Sequence, residues 1–287
     1  MWVPLALVTA VAFAASGSYS KALSRSAHVY VVTWAFIALA APWTAIVLMR
    51  EGMPPIGDQF LKAALISVVV NMVGTTLHIK ALTLSPLSLT VPFLSFTPLF
   101  MLIPSWIVLK ETPNPLGLTG IILIVAGGYA MHLDKIRGGG ILAPFRAVAS
   151  EKGSLLMLLV AAIWSISAVY DKVASVASSS AYYTTFFSLT FAFVYSPFLV
   201  AGLRKRPVPL GSVPRLFLLG LFTAAMILSQ FAAIQLTVAS YVIAIKRAGM
   251  ILSVVLGYFF FKERHLRPRL TGAILMTLGV FLLSMQG

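Results

Sequence analysis

The sequence predicts an all-α membrane protein of ten transmembrane helices, arranged as two inverted five-helix repeats. Three observations carry that expectation: an apolar composition, ten separate stretches of spanning length, and a second half that repeats the first. Sixty per cent of the 287 residues are apolar and ten per cent are charged, whereas a water-soluble domain is about a quarter charged and under half apolar. The mean hydropathy is +0.98. Crossing about 30 Å of hydrocarbon takes roughly 20 mainly apolar residues, folded as a helix because the backbone must satisfy its own polar groups there.

The first stretch, Val3 to Ala22, follows Met1-Trp2, which lacks the basic start of a signal peptide, and it reaches spanning length. It is read as a retained helix. Val29 to Met49 stops at the turn-forming Glu51-Gly-Met-Pro-Pro, and Phe60 to Ala81 carries the polar Asn71 and His78. Leu87 to Leu109 contains Pro92, Pro98 and Pro104, each of which removes a backbone donor and kinks or breaks a helix. Pro115 to Leu133 closes the first half. The segment 134–152, with Gly138-Gly139-Gly140, is the one candidate linker, so the repeats are expected at 1–133 and 153–287. The second half reads Gly153 to Val173, Ala181 to Leu203 before Arg204-Lys-Arg-Pro, Ser212 to Leu236, Ala239 to Phe261 and Pro268 to Met285.

A shift of 152 residues sets Lys110-Glu111 on Lys262-Glu263, Leu118-Thr119-Gly120 on Leu270-Thr271-Gly272, Ile122-Leu123 on Ile274-Leu275, and Gly127 on Gly279. Shared apolar composition can supply Leu and Ile matches, but not Lys, Glu, Thr and Gly in register. A shift of 151 pairs Ser16 with Ser167, Tyr19 with Tyr170 and Lys21 with Lys172. Five helices per half is an odd number, so the second half enters the bilayer from the opposite face. Transporters of this build hold substrate near the midplane, between repeats that rock against each other.

Five-plus-five helices, the Trp164-Ser-Ile-Ser stretch and the Lys-Glu then Leu-Thr-Gly closing each half resemble the drug/metabolite transporter superfamily, in its EamA-type branch. The resemblance covers essentially the whole chain and implies a transporter of small solutes. Relatives export amino acids, carry nucleotide sugars or exchange phosphorylated sugars. The ninth stretch, Ile245-Lys246-Arg247-Ala248 with Ser253 and Phe259-Phe260-Phe261-Lys262, is also similar to the phosphate-binding helix of the triose-phosphate translocators. Those proteins carry a lysine on the fourth helix as well, and this chain has none there.

Lys246 and Arg247 lie seven and eight residues into the ninth stretch, roughly 10 Å from its start. A cation at mid-membrane costs about 2.5 to 3.5 kcal/mol on the lenient scales; snorkelling to the interface is the structural alternative. Gly249, Ser253 and Gly257 follow Lys246 on one helix face, the small-residue pattern of a surface packed on another helix. Lys246 is therefore expected to point into the bundle. All seven carboxylates are read as lying in loops or at helix ends, so the two cations are suited to an anionic group on the substrate. Transport is likewise expected to need no titrating acid, with His78 as a weak route to pH dependence.

Ser95 stands opposite Arg247 in the repeat, and Asn71, His78 and Gln230 are further polar candidates, each equally suited to hydrogen-bonding between helices. Trp164, Tyr19 and Tyr170, with Trp34 and Tyr183, are candidate aromatic walls or simply core and interfacial rings. No P-loop, His-Glu-x-x-His or Gly-x-Ser-x-Gly occurs, which leaves ATP-driven pumping and serine hydrolysis without support. No cofactor or metal is expected, and with no cysteine there is no disulfide. The net charge of +14 is scattered over short loops, which fits an anionic bilayer surface rather than nucleic acid. The expected activity is secondary transport of an anionic or zwitterionic metabolite across the cell membrane, by a monomer or homodimer. A flippase for a lipid-linked phosphate, a cationic-drug exporter and a lipid-modifying enzyme are the alternatives.

Loops after the odd-numbered helices hold fifteen Lys and Arg residues and the opposite face four. Short loops rich in Lys and Arg stay cytoplasmic. Both termini are therefore expected outside the cytoplasm, against the habit of the resembling family. A cysteine placed at Gly287 should react with an impermeant maleimide on intact cells; labelling only after lysis would reverse the orientation.

Overall fold

The computed structural model describes residues 2–109, 115–130, 150–236, 239–263 and 266–284, and every regular element among them is helical. The glycine-bearing segment expected as a linker lies outside the described residues except for 150–152, and Glu111 lies outside them altogether. In chain order the helices are α1 Trp2–Leu23, α2 Val29–Ala38, α3 Ala41–Glu51, α4 Phe60–Leu84, α5 Leu87–Thr90, a 3-10 turn Val91–Phe96, α6 Thr97–Leu109 and α7 Pro115–Ala130. They continue with α8 Lys152–Val176, α9 Ser180–Val194, α10 Ser196–Lys205, a short 3-10 turn Leu210–Ser212, α11 Val213–Leu236, α12 Ala239–Phe261 and α13 Leu266–Ser284. Among the described residues the second and seventh stretches fall on broken pairs, the fourth on α5, the 3-10 turn and α6, and each of the others mainly on one helix. Among the described residues five spans are long and apolar enough to cross a membrane, and six if the bent pair α9–α10 counts as one.

The breaks have chemical causes. Pro42 in the first turn of α3 and Pro197 in the first turn of α10 follow the interruptions at Leu39-Ala40 and Tyr195, because proline has no N–H to give back to the preceding turn. α9 and α10 meet at 53°. These are the second and seventh stretches, which correspond in the repeat. In the fourth stretch Pro92 sits in the first turn of the 3-10 segment and Pro104 inside α6. Side-chain caps start two helices of the second half: Glu151 accepts from the Gly153 and Ser154 N–H groups at α8, and the Ser179 hydroxyl accepts from Tyr182 N–H at α9.

Small residues set how closely the helices pack. A β-carbon at Gly249 of α12 would lie 2.3 Å from the carbonyl oxygen of Ala10 on α1, so the face that follows Lys246 is packed directly on α1. Between α7 and α13 the contact is reciprocal: a β-carbon at Gly127 would meet the Gly272 carbonyl and Met276, and one at Gly279 would meet the Gly120 carbonyl and Ile124. Each of those pairs maps onto the other under the 152-residue shift. α4 against α8 and α11 against α1 form a second matched pair of neighbours. Together these contacts bring α1, α4, α8, α9, α11 and α12 around one central space.

Candidate functional site

That space is a cavity of about 120 Å³ among the described residues, lined from α1 by Phe13, from α4 by Asn71 and Thr75, and from α8 by Trp164, Ser167, Ala168 and Asp171. Tyr183 and Phe187 of α9, Gln230 and Phe231 of α11, and Lys246 of α12 complete its wall. Phe13 and Trp164 are equivalent positions of the two repeats, and they flank the cavity together.

Lys246 points inward and donates from Nζ to Gln230 Oε1 at 2.6 Å, with Nζ 5.5 Å from the Phe13 ring centre. Sixteen residues separate this pair, on consecutive helices. The amide oxygen and the aromatic face both stabilise the ammonium where water is scarce. Arg247 lies on the same helix, but its side chain is outside the described residues.

Asp171 corrects the expectation that every carboxylate sits in a loop or at a helix end. α8 runs on to Val176, which places Asp171 inside the helix and on the cavity wall. Its Oδ1 accepts from the hydroxyls of Ser67 and Tyr183, and its Oδ2 from Ser167 at 3.1 Å. Asn71 secures the arrangement from α4: its amide N–H groups reach the Ser67 carbonyl and hydroxyl, each at 3.1 Å, and the Ser167 hydroxyl. Three O–H donors thus converge on one carboxyl. A carboxylate offers about four acceptor positions, so Asp171 retains acceptor capacity at the cavity wall. Lys246 therefore shares its cavity with an acid, and the expectation of transport without a titrating acid loses its ground.

Two further donors lie in the lining without a partner among the described residues, Trp164 Nε1 and Thr97 Oγ1. Trp164 Nε1 lies against Gly74 of α4, where a β-carbon would come within 2.7 Å of it.

Of the residues picked out in the sequence, Lys246, Asn71, Gln230 and Trp164 come together on the cavity, and Tyr183 joins them. The others are placed elsewhere. Ser95 is buried with its hydroxyl on Met250 Sδ at 3.3 Å. His78 backs the wall, its ring centre 5.0 Å from that of Trp164 and its Nδ1 3.4 Å from Met157 Sδ. Tyr19 packs on Phe222 at 5.2 Å, Tyr170 against the core, and Trp34 donates to the Ala192 carbonyl across α2 and α9. Asp171, Ser67 and Ser167 were not among the residues expected at the site. The signal for Asp171 was its place on one helix face with Trp164 and Ser167, three and four residues apart along α8.

A helical bundle whose apolar spans enclose a small cavity with an acidic and a basic side chain in its wall is the architecture of a multi-pass membrane protein. Two segments of the sequence, residues 1–132 and 151–285, match the EamA-like transporter family. The chain belongs to that family, and so to the transmembrane transporters of small molecules. A solved structure described as "Crystal structure of protein" is similar over 98% of this chain and 95% of its own, with a TM-score of 0.67 at 14% identity, and shares the fold. No curated protein matches the chain by sequence.

Proposed function

We propose that this protein is a secondary transporter that moves a small zwitterionic metabolite across the cell membrane by alternating access. In this reading ten helices form two inverted halves, 1–133 and 153–287, joined by 134–152, and the cavity between them alternates between the two sides of the membrane. The observation that carries it is an acidic and a basic side chain on one small cavity, Asp171 and Lys246. A substrate ammonium suits Asp171, where Tyr183, Phe187 and Trp164 add aromatic faces; a substrate carboxylate suits Lys246. A cavity of about 120 Å³ fits a solute of a few heavy atoms in this conformation.

Thermal-shift titration of the detergent-purified protein against size-matched zwitterions, monoanions and monocations tests the reading. A ligand at a hundred times its Kd stabilises the native state by about 2.7 kcal/mol. Zwitterions should raise the midpoint most, and the strongest of them should drive counterflow in proteoliposomes. Stabilisation by monocations alone would favour drug export, and a stoichiometric co-purified phospholipid would favour a flippase.

A further inference from the structure

Away from the cavity, at the end of the bundle where α1 and α12 finish and α5 and α13 begin, a second group of charges is buried. Glu263 is its centre. Its Oε1 accepts from Lys21 Nζ at 2.9 Å and from Leu87 N–H at 2.6 Å, and its Oε2 from Ser88 N–H at 2.9 Å and the Ser88 hydroxyl at 2.5 Å. Arg269 Nη1 lies 3.5 Å from Oε2 and donates to the Ser88 hydroxyl at 2.5 Å, while Lys21 also reaches the Ser85 carbonyl at 2.8 Å. Burial alone would push the Glu263 carboxyl up, but the Ser88 hydroxyl and the Lys21 ammonium outweigh it and hold it below the usual range, so it is charged at neutral pH.

The local backbone is bent to bring this carboxylate in. Lys262 has φ +54°, the one non-glycine residue with positive φ among those described, a conformation that costs a lysine on the order of 1 kcal/mol. It turns the chain back on α12, so that Glu263 N–H meets the Gly257 carbonyl at 3.3 Å. A β-carbon at residue 257 would lie 2.7 Å from Glu263 Oε2, so glycine leaves the carboxylate its place.

The sides of this contact are unequal in origin. Lys21, Ser85, Leu87 and Ser88 belong to the first half, and Glu263 and Arg269 to the second. Buried ion pairs are costly to assemble and costly to break singly, which makes such a group poor general glue and a good two-state contact. Lys21 near the end of α1, Arg25 and Lys262 in the loops and Arg267 at the start of α13 gather at this end, the face expected to be basic. We infer that the Glu263 cluster is a latch between the two halves, closed in this conformation, which must part for the cavity to open to the basic face. The inference rests on the alternating-access reading but not on the identity of the substrate.

The test exploits a chain free of cysteine. A single Ala168→Cys on the cavity wall is the reporter, labelled by an impermeant methanethiosulfonate ammonium reagent in right-side-out and inside-out vesicles without substrate. Glu263→Gln keeps the shape and removes the charge. It should speed labelling from the basic face about tenfold or more and slow it from the opposite face. Lys21→Met, which removes one donor only, should move both rates the same way by a few-fold, and it carries the test if Glu263→Gln is not monodisperse. Unchanged rates in folded variants, or equal acceleration from both faces, would overturn the latch. Labelling that responds as expected while no zwitterion binds would retain the latch and reject the substrate reading.

Discussion

Replacing Lys246 with glutamine is expected to weaken binding of monoanions and zwitterions by on the order of 10- to 100-fold. The estimate follows from the roughly 1.5 to 3 kcal/mol carried by a hydrogen bond to a charged group, with tenfold for each 1.4 kcal/mol. Glutamine still reaches Gln230 Oε1, the acceptor that holds Lys246 at 2.6 Å, so the helix pair α11–α12 keeps its polar contact and the folded protein survives. Monocations should bind as before or better. Titration calorimetry of both proteins against the same zwitterion reads the change, and an unaltered Kd would remove Lys246 from the site.

Asp171→Asn is expected to do more, because the carboxylate both faces the cavity and organises its wall. The Ser67, Ser167 and Tyr183 hydroxyls all donate to it. An asparagine amide brings donors of its own to a place where only acceptors are wanted, and at least one hydroxyl must turn away. A loss of about 1 to 3 kcal/mol in stability follows from one unsatisfied buried group, visible as a lower Tm. Zwitterion affinity should fall at least tenfold while monoanion affinity holds or improves. If the two fall in parallel, Asp171 shapes the wall and does not contact an ammonium.

The membrane class and the repeat were legible because each rests on signals local in sequence: apolar run length, prolines, and identities at a fixed shift. Lys246 was legible for the same reason, since a cation deep in an apolar stretch stands out. Asp171 was not. It lies close enough to the end of its apolar run to read as a terminal charge, and only the extension of α8 to Val176, with partners from α4 and α9, reveals its place on the cavity wall. Ser67 and Asn71 on α4 meet Ser167 on α8 about a hundred positions along the chain, a proximity that composition and periodicity do not encode. Glu263 was readable as a helix-end residue, but the turn at Lys262 that aims it at Ser88 was not. Ser95 and His78 show the converse: polar residues in an apolar span that are satisfied by methionine sulfur within the core.

The glycine seam of α7 and α13 has a mechanical consequence. In a molecule whose halves trade conformations, most contacts have a counterpart elsewhere, and making one means breaking the other. The seam is different: Gly127 on Gly272 and Gly279 on Gly120 are each other's counterparts, so the exchange returns the contact to itself. Under the proposed alternating access such a place would be a hinge pin, bearing load in both positions and travelling in neither. Its backbones touch where side chains would otherwise slide, which would leave the motion that serves the cavity to the helices that line it.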